Sequence, residues 1–407
     1  MAAPTIPTDE FAQRRARACA AAAERGFHAL VVWSRGGATA DFYGDVMYLA
    51  NHVTAFPTQP DNLPLWAARG HSVLVLPVSG EPVLVVDSYD YRQDLATVSD
   101  VRVGLHIPAL VAEVLKELGL EGSPLGLIGR ESFLHSSYGL LEHHLGYTPD
   151  LTACDEILTD LRLIKSSAEL DLMRAAATIG SEAMTEMLAA VRVGGNEGEV
   201  AGEGWRAAAR RGGFPYDTSI TSGPHSQHFQ WARLPSWDIH RPLERGDILH
   251  VDFYGPMSQG YWVDMARTTI VGTGPTRNQA AVLEGAVTLV EHITAEIRPG
   301  ITYGELWQVG DDWRQTHGFP VRPEEGSGCL VGLDADFPAY GHSLGLGLEG
   351  YYLQEGSALV VQPGMVISVE TLLSREDVGG ANFEQNVIVT ADGHELLTGA
   401  SPAMPWQ

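Results

Sequence analysis

The run Asp247-Ile248-Leu249-His250-Val251-Asp252 is an apolar stretch that ends in a carboxylate. Twelve positions further on, a second carboxylate opens Asp264-Met265-Ala266-Arg267-Thr268-Thr269, preceded by Gly260-Tyr261-Trp262-Val263. Two strands joined by a connection of this length return side by side, so both aspartates can reach one point. Taken alone, the pair reads equally well as two surface or capping aspartates.

The same motif recurs outward. Gly364-Met365-Val366-Ile367-Ser368-Val369-Glu370 is another apolar strand ending in an acid, and Phe383-Glu384-Gln385-Asn386-Val387-Ile388-Val389-Thr390 carries one near its start. A buried, unpaired carboxylate is costly, so each of these acids needs a cation or strong donors. Arg267 is a candidate partner for either glutamate. Between these runs and the first pair lies Gly341-His342-Ser343-Leu344-Gly345-Leu346-Gly347, where glycines allow close backbone approach and leave the imidazole accessible. Asp252, Asp264, His342, Glu370 and Glu384 together form a hard, oxygen-rich donor set, suited to two divalent cations that share bridging carboxylates.

The rest of the chain sets bounds. It has 407 residues, 44% hydrophobic and 19% charged, which is room for two globular domains. Its formal net charge of −25 repels phosphate backbones and anionic lipid, so nucleic-acid and membrane partners are not expected. Cys19, Cys154 and Cys329 are far apart and odd in number, which fits small buried side chains in a reducing cytoplasm. The arginine- and alanine-rich start is interrupted by Glu24 and Arg25, and reads as an amphipathic helix through Phe11–Arg25. Residues 1–160 alternate helix and strand patterns, as in an α/β domain with a mixed sheet. Strands are expected at Ala29–Trp33, Val46–Leu49, Ser72–Leu76, Pro82–Val86 and Pro124–Gly129, with a helix over Ala109–Leu118. The pattern changes near residue 160. Ser166 or Ser167 is a candidate N-cap, with Glu169 in the first turn, for a helix running to about Val191. Residues 161–407 interleave strands with further helices at Glu197–Arg211, Asn278–Ile297 and Tyr303–Thr316, an α+β pattern that hints at a duplicated half-unit.

With these residues in hand, the chain resembles the pita-bread metallohydrolases, a superfamily that includes prolidase, aminopeptidase P, methionine aminopeptidase and the non-metal creatinase. The resemblance covers nearly the whole chain. It includes the stretch Leu161-Arg162-Leu163-Ile164-Lys165-Ser166 with Glu169-Leu170 and Met173-Arg174, and the five ligands in order. It implies a creatinase-like N-terminal domain and a pita-bread C-terminal catalytic domain. It further implies that Asp252 holds one metal, His342 and Glu370 the other, and that Asp264 and Glu384 bridge both. The cofactors implied are two divalent ions, Mn²⁺ first, with Co²⁺, Fe²⁺ or Zn²⁺ satisfying the same donors.

Departures from the family pattern matter as much. The family's usual interval between the two aspartates is one residue shorter, so a longer turn or bulge is expected within Tyr254–Gln259. Where the peptidases carry a second histidine, seven residues after the first, this chain has Glu349. Where they carry one a few residues after a Ser-Gly-Pro-like turn, this chain has Ser222-Gly223-Pro224-His225-Ser226-Gln227-His228, and the expected position holds Gln230. His228, or else His225, is the candidate to take that role, and Phe229, Trp231 and Trp237 either shape a pocket or cover the sheet. An ionised Glu349 cannot stabilise an oxyanion, but it can bind a substrate cation or serve as an acid. Tyr351 or Tyr352 is the alternative occupant of that gap.

The leading functional expectation is an Xaa-Pro dipeptidase or aminopeptidase, in which a hydroxide bridging the metals attacks the amide carbonyl and Glu370 or Glu384 takes the proton. His228 and Glu349 are candidate catalytic groups beside Glu370, with His225, Tyr351 and Trp231 binding the substrate, a short peptide or small molecule. The alternative is hydrolysis of a non-peptide C–N bond, as in ectoine hydrolase or creatinase relatives. A sulfonium lyase ranks lower, because that branch carries a further aspartate two residues from the first ligand, and His250 and Tyr254 stand there instead. A metal-free binding module is disfavoured by the intact ligand set. The family also implies a homodimer, with Asn51, His52 and Trp66 either lining the partner's pocket or serving the core and loops of their own domain.

Overall fold

The computed structural model describes residues 4–36, 42–54, 56–231, 234–319, 339–375 and 377–399. Cys329 lies outside them. They form two compact units, divided between Arg162 and Leu163, with the first residues of the chain grouped with the second unit.

The N-terminal unit is built on a mixed sheet of β1 (Ala29–Arg35), β2 (His71–Pro77), β3 (Val83–Val86), β4 (Asp100–Val103), β5 (Leu125–Ile128) and β6 (Leu151–Ala153), in the order β4-β3-β2-β1-β5-β6. β2 pairs antiparallel with β3 as the expected hairpin, and β1 pairs parallel with β5. Strands buried on both faces read as continuous apolar runs, as Ala29–Trp33 does. The helices are α1 (Thr8–Glu24), α2 (Gly44–Ala50), α3 (Ile107–Glu117), α4 (His135–Leu145) and α5 (Glu156–Leu163).

The expected strand at Val46–Leu49 is instead helix α2. Val46, Tyr48, Leu49 and Ala50 are all buried, so the run has no polar face from which a period could be read. The Ser34 hydroxyl accepts from the Val46 N–H at 3.1 Å, and Asn51 closes the helix in the left-handed conformation at φ 51°. Asn51 therefore has a capping role. His52 is buried with its ring edge-on to Tyr91, and Trp66 Nε1 donates to the Pro60 carbonyl. His71 is buried too, its Nδ1 accepting from Trp33 Nε1 at 2.8 Å.

Burial holds the pKa of both His52 and His71 down to about 4. Both stay neutral in the folded unit at a pH where the unfolded chain, titrating near 6.5, is protonated. Stability should therefore fall as pH drops from about 6.5 towards 4, by about 2 kcal/mol per histidine between pH ~7 and ~5. Urea melts at the two pH values measure this, and His71→Phe should remove about one such increment; an undiminished pH difference would count against it.

In the second unit, α6 (Ser167–Ala190) and α7 (Glu197–Ala209) cover a three-stranded antiparallel sheet of β7 (Asp217–Ser222), β8 (Ile248–Ser258) and β9 (Tyr261–Ile270). Helices α8 (Arg277–Ala295) and α9 (Tyr303–Thr316) pack against a five-stranded sheet. Its strands are β10 (Ala339–Leu344), β11 (Leu348–Gln354), β12 (Val366–Arg375), β13 (Gly379–Val389) and β14 (His394–Leu396), in the order β11-β10-β12-β13-β14. Two helix pairs, each on its own antiparallel sheet with its own apolar core, give the unit a doubled plan. Helix α6 starts as its sequence predicts. Ser166 and Glu169 form a reciprocal capping box, a device worth about 1 kcal/mol. No helix among the described residues is long and apolar enough to cross a membrane.

Candidate metal centre

Register explains why the acids meet. In the β8–β9 pair Asp252 stands opposite Ala266 and Tyr254 opposite Asp264, so both aspartates share one face, one step apart along the ladder. The additional residue between them is Met257, where the register shifts between Pro256 and Ser258. The strands then turn through Gln259 (φ 45°) and Gly260 (φ 84°), a tight two-residue connection. The bulge absorbs the added residue without turning either aspartate off the shared face. In the other sheet Glu370 is directly opposite Glu384, and His342 on β10 is opposite Ser368.

His342 Nε2 lies 3.5 Å from Asp264 Oδ2, 3.7 Å from Glu370 Oε1 and 3.8 Å from Glu384 Oε1. Donor atoms of Asp264, His342 and Glu384 all fall within 4.8 Å of one another. Asp252 joins them electrostatically: burial first, then the charges of Glu384 and Asp217, raise its pKa well above the usual range. Burial also raises Asp264, with Glu384, Asp252 and Glu370 adding to it. Burial pushes Glu384 up to about 7 and His342 down to about 4. His342 sits in a strand and is buried at 4% exposure, not accessible in a glycine loop as its flanking residues suggested.

These residues fit a divalent cation. Asp252 Oδ1 and Glu384 Oε2 are buried without a hydrogen-bond partner. Several carboxylates and a neutral imidazole converging out of water are unfavourable unless positive charge joins them. Asp252, Asp264, His342, Glu370 and Glu384 are the residues that would hold it.

The surrounding polar residues were not legible as site residues. Ser368 Oγ donates to Glu384 Oε1 at 2.5 Å, and Asn386 Nδ2 donates to Ser368 Oγ and to the Asp264 carbonyl, both at 2.7 Å. The Asp264 N–H in turn donates to Asn386 Oδ1 at 3.2 Å. Arg267 Nη1 donates to the backbone carbonyls of Ala266 and Glu384. Ser219, opposite Asp252 on β7, has a buried hydroxyl without a partner. The usable signal was spacing: Ser368 and Asn386 each lie two residues from a glutamate on an apolar strand, and so share its face.

The other sequence candidates separate. His225 stacks on Trp231 with centroids 4.4 Å apart, and His228 lies 4.6 Å from the same ring. Gln230 Nε2 is 3.4 Å from the Tyr254 hydroxyl, which ties this segment to the residue opposite Asp264. Glu349 is buried, and its Oε1 accepts the Leu346 N–H at 3.0 Å. A Cβ on Gly345 would meet both the Glu349 carboxylate and the Lys165 side chain, so these two groups flank that glycine. Tyr351 packs against the core of the α8–α9 half, and strand alternation instead brings Tyr352 to His342, with centroids 6.1 Å apart. Of the two candidate tyrosines, Tyr352 is thus the one whose ring stands beside His342.

The model of metallopeptidase family M24 matches residues 171–391, more than half of the chain. The chain belongs to that family. It is thus a metal-dependent hydrolase, and its C-terminal unit is the pita-bread catalytic fold. It is 25% identical over 297 residues to an Xaa-Pro dipeptidase of Pyrococcus furiosus, covering 71% of this chain and 76% of that one. It is 27% identical over 343 residues to a probable dipeptidase, PepE, of Mycobacterium tuberculosis, covering 80% and 85%. The crystal structure of the prolidase from Pyrococcus horikoshii superposes with a TM-score of 0.76 at 20% identity, over 96% of this chain and 99% of that one.

Proposed function

We propose that this M24 member is an Xaa-Pro dipeptidase using two divalent ions, Mn²⁺ foremost, with Co²⁺, Fe²⁺ or Zn²⁺ as alternatives. The observation that carries this reading is the buried convergence of Asp264, Glu370 and Glu384 on His342 Nε2, beside Asp252. The relatives' dipeptidase names support the substrate class. Bound at these five residues, the ions would acidify water and polarise the scissile carbonyl.

The protein's own groups do the rest. Glu370 takes the proton of the attacking water and returns it to the departing proline nitrogen. Asp252, Asp264 and Glu384 are the remaining carboxylate donors, and Ser368 and Asn386 lock Glu384 and the Asp264 backbone in place. His228 faces the substrate with His225 and Trp231, whose half-exposed ring offers an apolar surface to a proline side. Glu349 orders the turn before β11 through Leu346. The reading carries with it a homodimer, as the family resemblance implies, in the reducing cytoplasm that the sparse, scattered cysteines fit.

A second reading, hydrolysis of a non-peptide C–N bond, is favoured by Gln230. Gln230, at the sequence position where the family pattern calls for a histidine, sets an amide 3.4 Å from the Tyr254 hydroxyl. Purified enzyme loaded with Mn²⁺ should release proline from a panel of Xaa-Pro dipeptides, lose that activity to a chelator and regain it on adding the metal. Intact dipeptides alongside turnover of cyclic amidines or small amides would replace the first reading with the second.

A further inference from the structure

His250 is not explained by metal binding or by packing. It lies on β8 two residues before Asp252, on the same face, and its side chain is entirely buried. A single ring nitrogen, Nε2, has three polar neighbours: Thr221 Oγ1 at 2.5 Å and the carbonyl oxygens of Ser226 and His228, each at 3.1 Å. Carbonyls only accept, so Nε2 carries the ring proton. The Thr221 hydroxyl sends its own hydrogen to the His228 carbonyl at 3.2 Å, which leaves its oxygen free to accept from Nε2. Nδ1 is then an unprotonated, buried lone pair without a partner. An apolar side chain would fill this place at less cost, so the imidazole serves the one edge it has turned to residues 226–228.

Those residues belong to the segment that follows β7. At its start Ser226 Oγ donates to the Gly223 carbonyl and accepts from the Gly380 N–H. Further on it carries His228, then Gln230 against Tyr254, then Trp231 stacked on His225. The segment has little regular structure beyond a single 3-10 turn over Gly223–His225. Side-chain tethers therefore decide where it stands.

We propose that His250 is a positioning residue, whose Nε2–H fastens the His225–Trp231 segment to the strand that bears Asp252 and so sets where His228, Gln230 and Trp231 meet the substrate. The inference rests on the dipeptidase reading only for what the segment contacts; the tether itself is independent of it.

Glutamine and asparagine separate the tether from bulk packing. Glutamine reaches with an N–H to about the place of Nε2, whereas asparagine stops near Nδ1. In the full-length, Mn²⁺-loaded protein, His250→Gln should resemble the wild type. His250→Leu and His250→Asn should show amide hydrogen exchange across residues 223–231 that is about tenfold faster, the effect of losing about 1.4 kcal/mol of local hydrogen bonding. Bound metal should be unchanged in all three. On an Xaa-Pro dipeptide the same two variants should raise KM by about tenfold with kcat little altered, since ground-state placement is what is lost. Equal exchange in the Gln, Asn and Leu variants, or wild-type exchange in His250→Leu, would overturn the proposal. If His250→Leu does not fold, the Gln and Asn pair decides alone. If the wild type cleaves no Xaa-Pro dipeptide, the dipeptidase reading fails while the exchange comparison still decides the tether.

Discussion

Asp264→Asn is expected to lower turnover by about three orders of magnitude or more, while making the metal-stripped protein more stable. Asp264 occupies the middle of the cluster. It is 3.5 Å from His342 Nε2, and its ionised form is opposed first by burial and then by Glu384, Asp252 and Glu370. Without cations, these acids must stay protonated or repel one another out of contact with water. A neutral amide of the same shape relieves that cost, so the gain should be about 1–3 kcal/mol. In a unit of this size that corresponds to a melting temperature higher by a few degrees, about 2–4 °C per kcal/mol. Adding Mn²⁺ should reverse the order. The wild type gains RT ln(1 + [L]/Kd) and the variant gains little. Thermal melts with chelator and with Mn²⁺, together with metal analysis, measure all of this. A variant that binds the full metal complement and turns over at the wild-type rate would remove Asp264 from the centre.

The sequence shows the carboxylates readily because each interrupts an apolar strand. An apolar run that ends in an acid, as residues 248–252 and 366–370 do, is costly unless something compensates the charge, and that cost is visible without coordinates. Their partners are harder to see. Ser368 and Asn386 are ordinary strand residues until the register sets Ser368 against Asn386 and Glu370 against Glu384. Register is a property of pairing, and one sequence does not reveal which strand lies beside which. The burial of His342 is hidden for the same reason, since nothing in its own glycine-rich neighbourhood shows that β11 and β12 flank it on both sides. Tyr351 and Tyr352 differ only in parity, which the start of β11 decides. In the N-terminal unit, Val46–Leu49 carries no polar face, so helix and strand periods could not be distinguished there. By contrast, the Ser166–Glu169 cap and the β2–β3 hairpin rest on local chemistry, and local chemistry is what a sequence displays.

Gly341→Ala should have the second large effect, although Gly341 contributes no side chain to the site. Its φ is 135°, a conformation that costs any residue with a Cβ. An added Cβ would also lie 1.9 Å from the Ser368 carbonyl oxygen and 2.9 Å from its carbon, backbone atoms that cannot swing aside. The clash falls in the β10–β12 ladder, where Gly341 pairs with Val369 and His342 with Ser368. Relief requires β10 to move away from β12, carrying the imidazole from Glu370 and Asp264 and straining the Tyr303–Ser343 hydroxyl contact of 2.7 Å. The expected cost is about 3 kcal/mol or more, the sum of backbone strain and a broken ladder. Metal affinity should fall with it by about a hundredfold, since a displaced imidazole is a lost ligand. Comparison with His342→Ala separates the two effects: that variant should lose affinity similarly but keep its stability in chelator, because the ladder is left intact. Urea melts in chelator and metal titrations of both variants provide the test, and wild-type stability in Gly341→Ala would mean that β10 does not approach β12 this closely. The centre depends on that approach as much as on its donors, because a carboxylate pair on one strand ladder meets the imidazole of another only where the backbone between them has no Cβ to hold it off.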